Sequence, residues 1–233
     1  MVTIADNLQA VEATIAAAAQ AANRPVSSVQ LLAVSKTFPM EAVLEASAGG
    51  QRAFGENYLQ EGVEKIAAVA RAQPDTALEW HFIGPIQSNK TRPIATNFHW
   101  VHTVERLKIA QRLSEQRPPE LGPLNICLQV NISGEATKSG ATAAELPALA
   151  RQVAALPNLK LRGLMAIPEA QTDPALQRAA FAKLRQLADS LRADGLMIDT
   201  LSMGMSGDMA AAILEGATIV RVGSAIFGLR NYD

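Results

Sequence analysis

Eight short apolar segments of β-forming character alternate with helical segments along the chain, and this alternation constrains the fold most. Strands that alternate with helices of about ten to fifteen residues are typical of parallel sheets built from β/α units. The predicted strands are Leu31–Lys36, Ala53–Gly55, Glu79–Ile83, His99–Thr103, Leu124–Val130, Leu159–Ala166, Thr200–Met203 and Thr218–Gly223. Eight such units in 233 residues predict a single α/β domain over residues 1–233, a (β/α)8 barrel of the TIM type.

An open doubly wound sheet is the alternative fold for this pattern. It is less favoured because no glycine-rich dinucleotide turn follows the first predicted strand, and because an open sheet tends to need fewer strands. An extra N-terminal helix precedes the barrel. Thr3 and Asp6 have the spacing of a capping box, and apolar residues recur at helical intervals from Ile4 to Ile15.

The composition argues against several classes of partner. A formal net charge of -1 gives no general reason to expect binding to nucleic acid or to an anionic membrane. No apolar run reaches membrane-spanning length, and the first residues lack a basic leader, so we expect neither a membrane span nor a secretion signal. Cys127 is the only cysteine, which excludes an intrachain disulfide and fits a buried apolar residue in the reducing cytoplasm.

One lysine ends the first predicted strand. Period-2 alternation places Leu32, Val34 and Lys36 on one face, so Lys36 follows two inward aliphatic side chains. Partial desolvation at such a position lowers the pKa of an amine and makes it available as the nucleophile of a Schiff base. The alternative is a lysine at a strand end that reaches water or pairs with a carboxylate.

The last two predicted strands are followed by small residues. Phosphate sites in barrels often lie between the loops after strands seven and eight. Hydroxyl groups of Ser202 or Ser206 and the backbone N–H groups of Gly223 and Ser224 could surround a phosphate; otherwise these are tight glycine turns. Arg221 shares a strand face with Gly223, and an inward arginine needs an acceptor. An outward arginine paired with a helix carboxylate is the alternative.

Other polar residues give weaker signals. Asn57 follows the second strand and could bond a cofactor or cap the next helix. His81 and His99 are predicted as core or rim histidines, and His102 as pointing toward the barrel mouth. The histidines lack metal-ligand spacing and there is no cysteine pair, so we expect no metal.

Several short motifs in combination resemble one known family. They are Val34-Ser35-Lys36-Thr37, Phe54-Gly55-Glu56-Asn57-Tyr58, Trp80 to Lys90 (WHFIGPIQSNK), Gln129-Val130-Asn131-Ile132, Lys138-Ser139-Gly140, Gly163-Leu164-Met165, Ser202 to Ser206 (SMGMS) and Arg221 to Gly228 (RVGSAIFG). Over residues from about Leu31 to the C-terminus, the chain resembles the pyridoxal phosphate homeostasis proteins (YggS/PROSC family). That family is similar to the N-terminal barrel domain of alanine racemase, and it binds pyridoxal 5′-phosphate (PLP).

The resemblance implies a role for each candidate site residue. Lys36 would hold PLP as a Schiff base, and Arg221 would face the pyridine nitrogen. The phosphate would be bound by Ser202, Gly223 and Ser224, and Asn57 and Met203 would line the pocket. Phe38 stands where related chains often have a lysine, which puts a role for a second lysine beside Lys36 in doubt.

Three functions follow from these motifs. The first is a PLP carrier in vitamin B6 homeostasis that stores or delivers cofactor without turnover, so that no residue is catalytic. The second is a racemase-like PLP enzyme, although neither Tyr58 nor Tyr232 is placed as the base. The third is a Schiff-base aldolase, which would not need Arg221.

For the carrier we expect a cytoplasmic monomer whose partners are PLP and apo-forms of PLP enzymes. Lys138 would form a transient second imine or be an ordinary loop lysine.

Overall fold

A computed structural model of the chain describes residues 2–134 and 139–228. Its strands form one closed barrel in which each strand pairs in parallel with the next along the chain, and β8 pairs with β1. The strands are β1 (Gln30–Val34), β2 (Ala53–Glu56), β3 (Glu79–Phe82), β4 (Trp100–Val104), β5 (Leu124–Gln129), β6 (Leu159–Met165), β7 (Thr200–Ser202) and β8 (Ile219–Val222). The predicted barrel is confirmed, and the open sheet is excluded.

The helices are α1 (Ile4–Ala21), α2 (Met40–Ala48), α3 (Leu59–Ala72), α4 (Thr91–Asn97), α5 (Leu107–Gln116), α6 (Leu146–Ala154), α7 (Pro174–Ala193), α8 (Met209–Leu214) and α9 (Ser224–Phe227). Helices α2 to α8 lie between successive strands, α1 precedes β1 and α9 follows β8. Thr3 and Asp6 form the predicted capping box of α1, the extra N-terminal helix. The Asp173 side chain accepts a hydrogen bond from Ala175 N at the start of α7, as its position before Pro174 predicts.

The observed strands differ from the predicted ones by a residue or two at their ends. The largest change concerns β1, which ends at Val34, so that Lys36 lies in the loop after the strand rather than at its last position. Apolar pattern alone does not show where inter-strand hydrogen bonding stops, and the register of β1 with β2 ends at the pair Val34 and Gly55.

The side chains of the strands divide between two cores. The smaller core fills the barrel interior and contains six buried residues: Leu32, Ala53, Trp100, Cys127, Met165 and Ile219. Leu31 and Ala33 belong to the larger core between the barrel and its helices. Leu32 therefore points inward, which confirms the predicted alternation along β1. Burial raises the pKa of the Cys127 thiol to about 12, so Cys127 is a buried apolar residue as predicted.

Close backbone approach explains one glycine of the barrel wall. Gly163 lies opposite Thr200 in the pairing of β6 with β7. A Cβ atom at Gly163 would overlap the Thr200 carbonyl group, so only glycine allows this approach.

In the described part of the chain, no helix combines the length and the apolar character that crossing a membrane requires.

Candidate functional site

A cavity of about 320 Å³ opens at the C-terminal ends of the strands. This is the end of a β/α barrel where binding and catalysis take place. Its lining residues are Val34, Lys36, Asn57, Ile83, Met165, Ile167, Met205, Ser206, Gly207, Arg221, Gly223 and Ser224. Five of the seven predicted site residues thus meet in one cavity, namely Lys36, Asn57, Arg221, Gly223 and Ser224.

The other two predicted site residues lie elsewhere. Ser202 is fully buried and bonded to Arg221 inside the barrel, and it does not line the cavity. Met203 is also fully buried, but it packs in the outer core between barrel and helices. Strand alternation explains the difference, because the inward Ser202 places the next side chain on the outside. Ser206 and Gly207, farther along the same loop, line the cavity instead.

Lys36 is half-buried at one wall of the cavity. The Asn57 amide, oriented so that its nitrogen donates to Ile83 O at 3.3 Å, accepts a hydrogen bond from Lys36 Nζ at 3.1 Å. Gly84 allows this arrangement, because a Cβ atom there would overlap the backbone of Asn57. The lysine amine also lies 6.0 Å from the centre of the Tyr58 ring. The amine is therefore directed toward the cavity by a neutral amide acceptor.

A buried ion-pair network holds the turn that carries Lys36. Lys65 on α3 donates to the Glu56 carboxylate at 2.7 Å and to the carbonyl oxygen of Ser35 at 2.8 Å. The Ser35 hydroxyl donates to Glu56 at 2.6 Å. Glu61 accepts from Lys65 at 2.8 Å and from the backbone N–H of Thr37 at 2.6 Å. The residues on both sides of the lysine are thus fixed by charged groups.

Two features of this network were not predicted from the sequence. Thr37 has a φ of 67°, in the left-handed region that non-glycine residues seldom adopt. Burial raises the pKa of the Glu56 carboxyl, although Lys65 opposes this change. The spacing of Glu61 and Lys65 by four residues indicates a helix ion pair. That spacing does not show that the lysine is buried against β2.

Arg221 enters the cavity from β8 and is 5% exposed. One terminal nitrogen donates to Ser202 Oγ at 2.8 Å, and the other donates to Ala166 O at 3.1 Å. Burial lowers the pKa of the guanidinium to about 10, so Arg221 remains charged at neutral pH. The inward orientation predicted for Arg221 is confirmed, and the alternative of an outward arginine is wrong.

His102 was predicted to point toward the barrel mouth, but it lies deeper, inside the barrel. His81 and His102 are both fully buried inside the barrel, 2.8 Å apart between Nδ1 of His81 and Nε2 of His102. Neither lines the cavity. His99 accepts from Trp80 N at 2.9 Å at the other end of the barrel. Across residues 2–134 and 139–228, no group of three or more His, Cys, Asp or Glu side chains is arranged to hold a metal ion.

A larger groove of about 660 Å³ lies at the opposite end of the barrel, between α1 and the starts of β1 and β2. Its lining includes Glu12, Gln30 and Arg52, but no lysine. Of five cavities compared in the described chain, the cavity of about 320 Å³ alone brings a lysine amine and a buried guanidinium together. Chemistry, rather than volume, therefore identifies the smaller cavity as the candidate site. Lys138 lies outside the described residues.

Comparison with known proteins gives the same fold. The profile of the alanine racemase N-terminal domain family matches residues 7–231. The structure of PipY from Synechococcus elongatus PCC7942 with PLP bound is 38% identical, with a TM-score of 0.83 over 97% of this chain and 100% of that one. An alanine racemase of Clostridium difficile shares the fold at 16% identity and a TM-score of 0.69, over 88% of this chain and 54% of the racemase.

Curated relatives narrow the class further. The pyridoxal phosphate homeostasis protein of Pseudomonas aeruginosa is 63% identical over 100% of this chain and 98% of its own length. The protein of the same name from Escherichia coli K12 is 53% identical over 99% of this chain and 98% of its own length. The chain belongs to the family of pyridoxal phosphate homeostasis proteins, as its motifs indicate.

Proposed function

We propose that the chain binds PLP in the cavity at the C-terminal end of the barrel and serves PLP homeostasis. The observation that carries the proposal is the set of groups around one cavity: an amine at Lys36, a buried guanidinium at Arg221, and small polar turns at Ser206–Gly207 and Gly223–Ser224. These groups match the aldehyde, ring nitrogen and phosphate of PLP. When bound, PLP supplies an electrophilic carbon and an electron-accepting ring.

Lys36 would hold the cofactor covalently. Its amine would attack the aldehyde carbon, and water would leave as the Schiff base forms. Asn57 orients the amine through the hydrogen bond of 3.1 Å. The network of Glu56, Glu61 and Lys65 fixes the turn around it. The chain thus presents a positioned nucleophile without placing a carboxylate among the residues that line the cavity.

Arg221 would face the ring nitrogen. A guanidinium has only N–H donors and no site that accepts a proton. Its hydrogen bond would keep the ring nitrogen as an unprotonated acceptor, which weakens the electron-accepting power of the ring. The opposite end of the cavity suits the phosphate. The backbone N–H groups of Gly223 and Ser224 would donate to phosphate oxygens, and Ser206 and Ser224 also line the cavity with hydroxyl groups.

We further propose that the protein stores or delivers PLP without catalytic turnover. A racemase or transaminase needs a positioned general base. Among the described residues that line the cavity, no histidine, tyrosine, aspartate or glutamate occurs, and Lys36 is the only amine. The relatives of 63% and 53% identity are likewise named as homeostasis proteins. Recipients would be apo-forms of PLP enzymes.

Three organisational proposals accompany this function. Residues 1–233 form one domain, since the closed barrel uses strands from Gln30 to Val222. We also propose that the protein acts as a monomer. It works in the cytoplasm, consistent with its single buried cysteine.

A transfer assay tests the carrier proposal. PLP-loaded protein is mixed with the apo-form of a PLP enzyme, in the presence of a phosphatase that destroys free PLP, and recovery of enzyme activity is followed. We expect recovery faster than that obtained with the same amount of free PLP. The purified protein is also assayed for racemisation of common L- and D-amino acids. Racemisation that disappears in Lys36→Ala would contradict the carrier proposal, and so would loading no faster than from free PLP.

A further inference from the structure

A chain of five polar side chains runs through the interior of the barrel. Arg221 donates to Ser202 Oγ at 2.8 Å, and Ser202 Oγ lies 2.7 Å from His102 Nδ1. His102 Nε2 lies 2.8 Å from His81 Nδ1, and His81 Nε2 lies 2.8 Å from Glu79 Oε1. The chain begins at the candidate cavity and ends at the first residue of β3, on the opposite end of the barrel.

The chemistry of its two ends fixes the direction of every hydrogen bond. Arg221 can only donate, so Ser202 Oγ accepts from it, and the Ser202 hydroxyl keeps a proton that it can donate to His102 Nδ1. His102 must then carry its proton on Nε2 and donate to His81 Nδ1. At the other end, the hydrogen bond from His81 lowers the pKa of Glu79 to about 2, so Glu79 is an ionised acceptor. With neutral rings, an ionised Glu79 requires the Nε2–H tautomer in both histidines, and the donor Arg221 at the other end is consistent with it.

Burial agrees with this assignment. Ser202, His81 and His102 are fully buried, and burial lowers the pKa of both histidines. The middle of the chain is therefore neutral, with a positive charge at Arg221 and a negative charge at Glu79. Glu79 is the more exposed end, with 40% of its side chain accessible, and it also accepts from Gln30 Nε2 at 3.0 Å.

The arrangement solves a specific problem for Arg221. A buried guanidinium needs acceptors, yet a carboxylate in direct contact usually takes two of its N–H groups at once. Within the described chain, no carboxylate forms an ion pair with Arg221, whose contacts are the Ser202 hydroxyl and the Ala166 carbonyl. One terminal nitrogen is thus held by a single hydroxyl, which leaves other N–H groups for the cavity.

We propose that Glu79, His81 and His102 are positioning residues for Arg221, joined to it through Ser202 by a one-way hydrogen-bond chain. These hydrogen bonds hold the guanidinium against the cavity and end at a carboxylate at the far end of the barrel. Its use in orienting Arg221 toward a pyridine ring rests on the proposed binding of PLP. The direction of the chain itself does not depend on any ligand.

The first test reads the tautomers in protein without cofactor. The chain contains three histidines, so selective ¹⁵N-histidine labelling gives a simple NMR spectrum, and His99→Asn identifies the signals of His99. We expect His81 and His102 to be neutral at pH 7 with the proton on Nε2. A proton on Nδ1 of either residue, or a charged ring, would overturn the proposal.

The second test asks whether the far end of the chain affects the cofactor. Glu79→Gln removes the charge while keeping the size of the side chain, and Glu79→Asp keeps the charge. Asp199→Asn is the matched control. Asp199 is a carboxylate paired with Arg162 beside β7, and it does not take part in the hydrogen bonds that link Glu79 to Arg221. PLP affinity is measured from the absorbance of the bound cofactor, and thermal unfolding checks that each variant folds.

We expect Glu79→Gln to weaken PLP binding about fivefold or more, as is typical for coupling between distant sites. Glu79→Asp should lose less, and Asp199→Asn should bind as the unmodified protein does. Because coupling is reciprocal, PLP should also shift the Nε2–H signal of His81. Unchanged affinity in Glu79→Gln, or equal loss in Asp199→Asn, would contradict the proposal. If the unmodified protein does not bind PLP, the proposed function is wrong. The tautomer test still shows, independently of PLP, whether the hydrogen bonds run from Arg221 to Glu79 in the proposed direction.

Discussion

Lys65→Met should strongly destabilise the protein, because it leaves the Glu56 carboxylate buried without its counter-charge. Lys65 is 6% exposed and Glu56 is fully buried. In the variant, Glu56 keeps the Ser35 hydroxyl as a donor, while its second oxygen already lacks a partner among the described residues. Glu61 is one-third exposed and can turn to water. Removing one partner of a buried pair costs about 3–5 kcal/mol, which is the loss expected in the free energy of unfolding at pH 7.

The loss should depend on pH in a defined direction. Burial holds the pKa of Glu56 above its ordinary value of 4.5, and removing Lys65 raises it further. A carboxyl with a raised pKa in the folded state binds its proton more tightly there than in the unfolded chain. The penalty is therefore present above the folded pKa, and it shrinks as pH falls through that value toward 4.5. The stability of Lys65→Met should therefore approach that of the unmodified protein as pH is lowered from 7 toward the ordinary carboxyl value of 4.5.

Urea unfolding at several pH values measures this effect. The matched control is Lys183→Met, which removes a lysine from an exposed position of α7 and should change stability by less than about 0.5 kcal/mol. Adding Glu56→Gln to Lys65→Met removes the uncompensated charge and should restore part of the loss, by about 0.5–3 kcal/mol. A loss below about 1 kcal/mol, or a loss that grows as pH falls, would refute the buried ion pair.

Three further predictions concern the phosphate, the ring and one helix cap. Gly223→Asp should prevent PLP binding, because its carboxylate repels the phosphate. Gly223→Ala should retain more binding, because the backbone φ of -118° at this position accepts a side chain. Absorbance titration with PLP measures both variants. Transamination by the unmodified protein should stay well below about 1 per second, because Arg221 offers the ring only N–H donors; faster turnover would refute this. Asp173→Ala should lower the free energy of unfolding by about 1 kcal/mol through loss of the cap on Ala175 N, with Asp75→Ala as the control in thermal denaturation.

The barrel and most of its cavity could be predicted because they follow from local patterns. Alternation of strands and helices gives the order of the barrel, and period-2 alternation places Leu32 and Arg221 inward. Since functional residues of a β/α barrel follow the strand ends, Lys36, Asn57 and Gly223 could be assigned to one end before their distances were known. The prediction that the cofactor is PLP came from the resemblance of the motifs to a known family.

The interactions inside the barrel could not be predicted, because they join residues that are distant in sequence. His102 and Ser202 are 100 positions apart and meet at 2.7 Å only because β4 and β7 face each other across the closed barrel. Alternation gives the inward direction of both residues but not their height within the barrel. Met203 is a different case: alternation from the inward Ser202 places it on the outer face, and only the family resemblance implied that it lines the pocket.

The central claim, that Lys36 holds PLP, is tested most directly by reductive trapping. Borohydride converts the carbon–nitrogen double bond of a Schiff base into a stable single bond, after which proteolysis and mass spectrometry locate the modified lysine. Lys36→Ala is the test variant. Lys90→Ala is the matched control, because Lys90 is an exposed lysine at the same end of the barrel. We expect one modified peptide, containing Lys36, and its disappearance in Lys36→Ala alone. Modification of another lysine in the unmodified protein, or an unchanged absorbance band in Lys36→Ala, would contradict it.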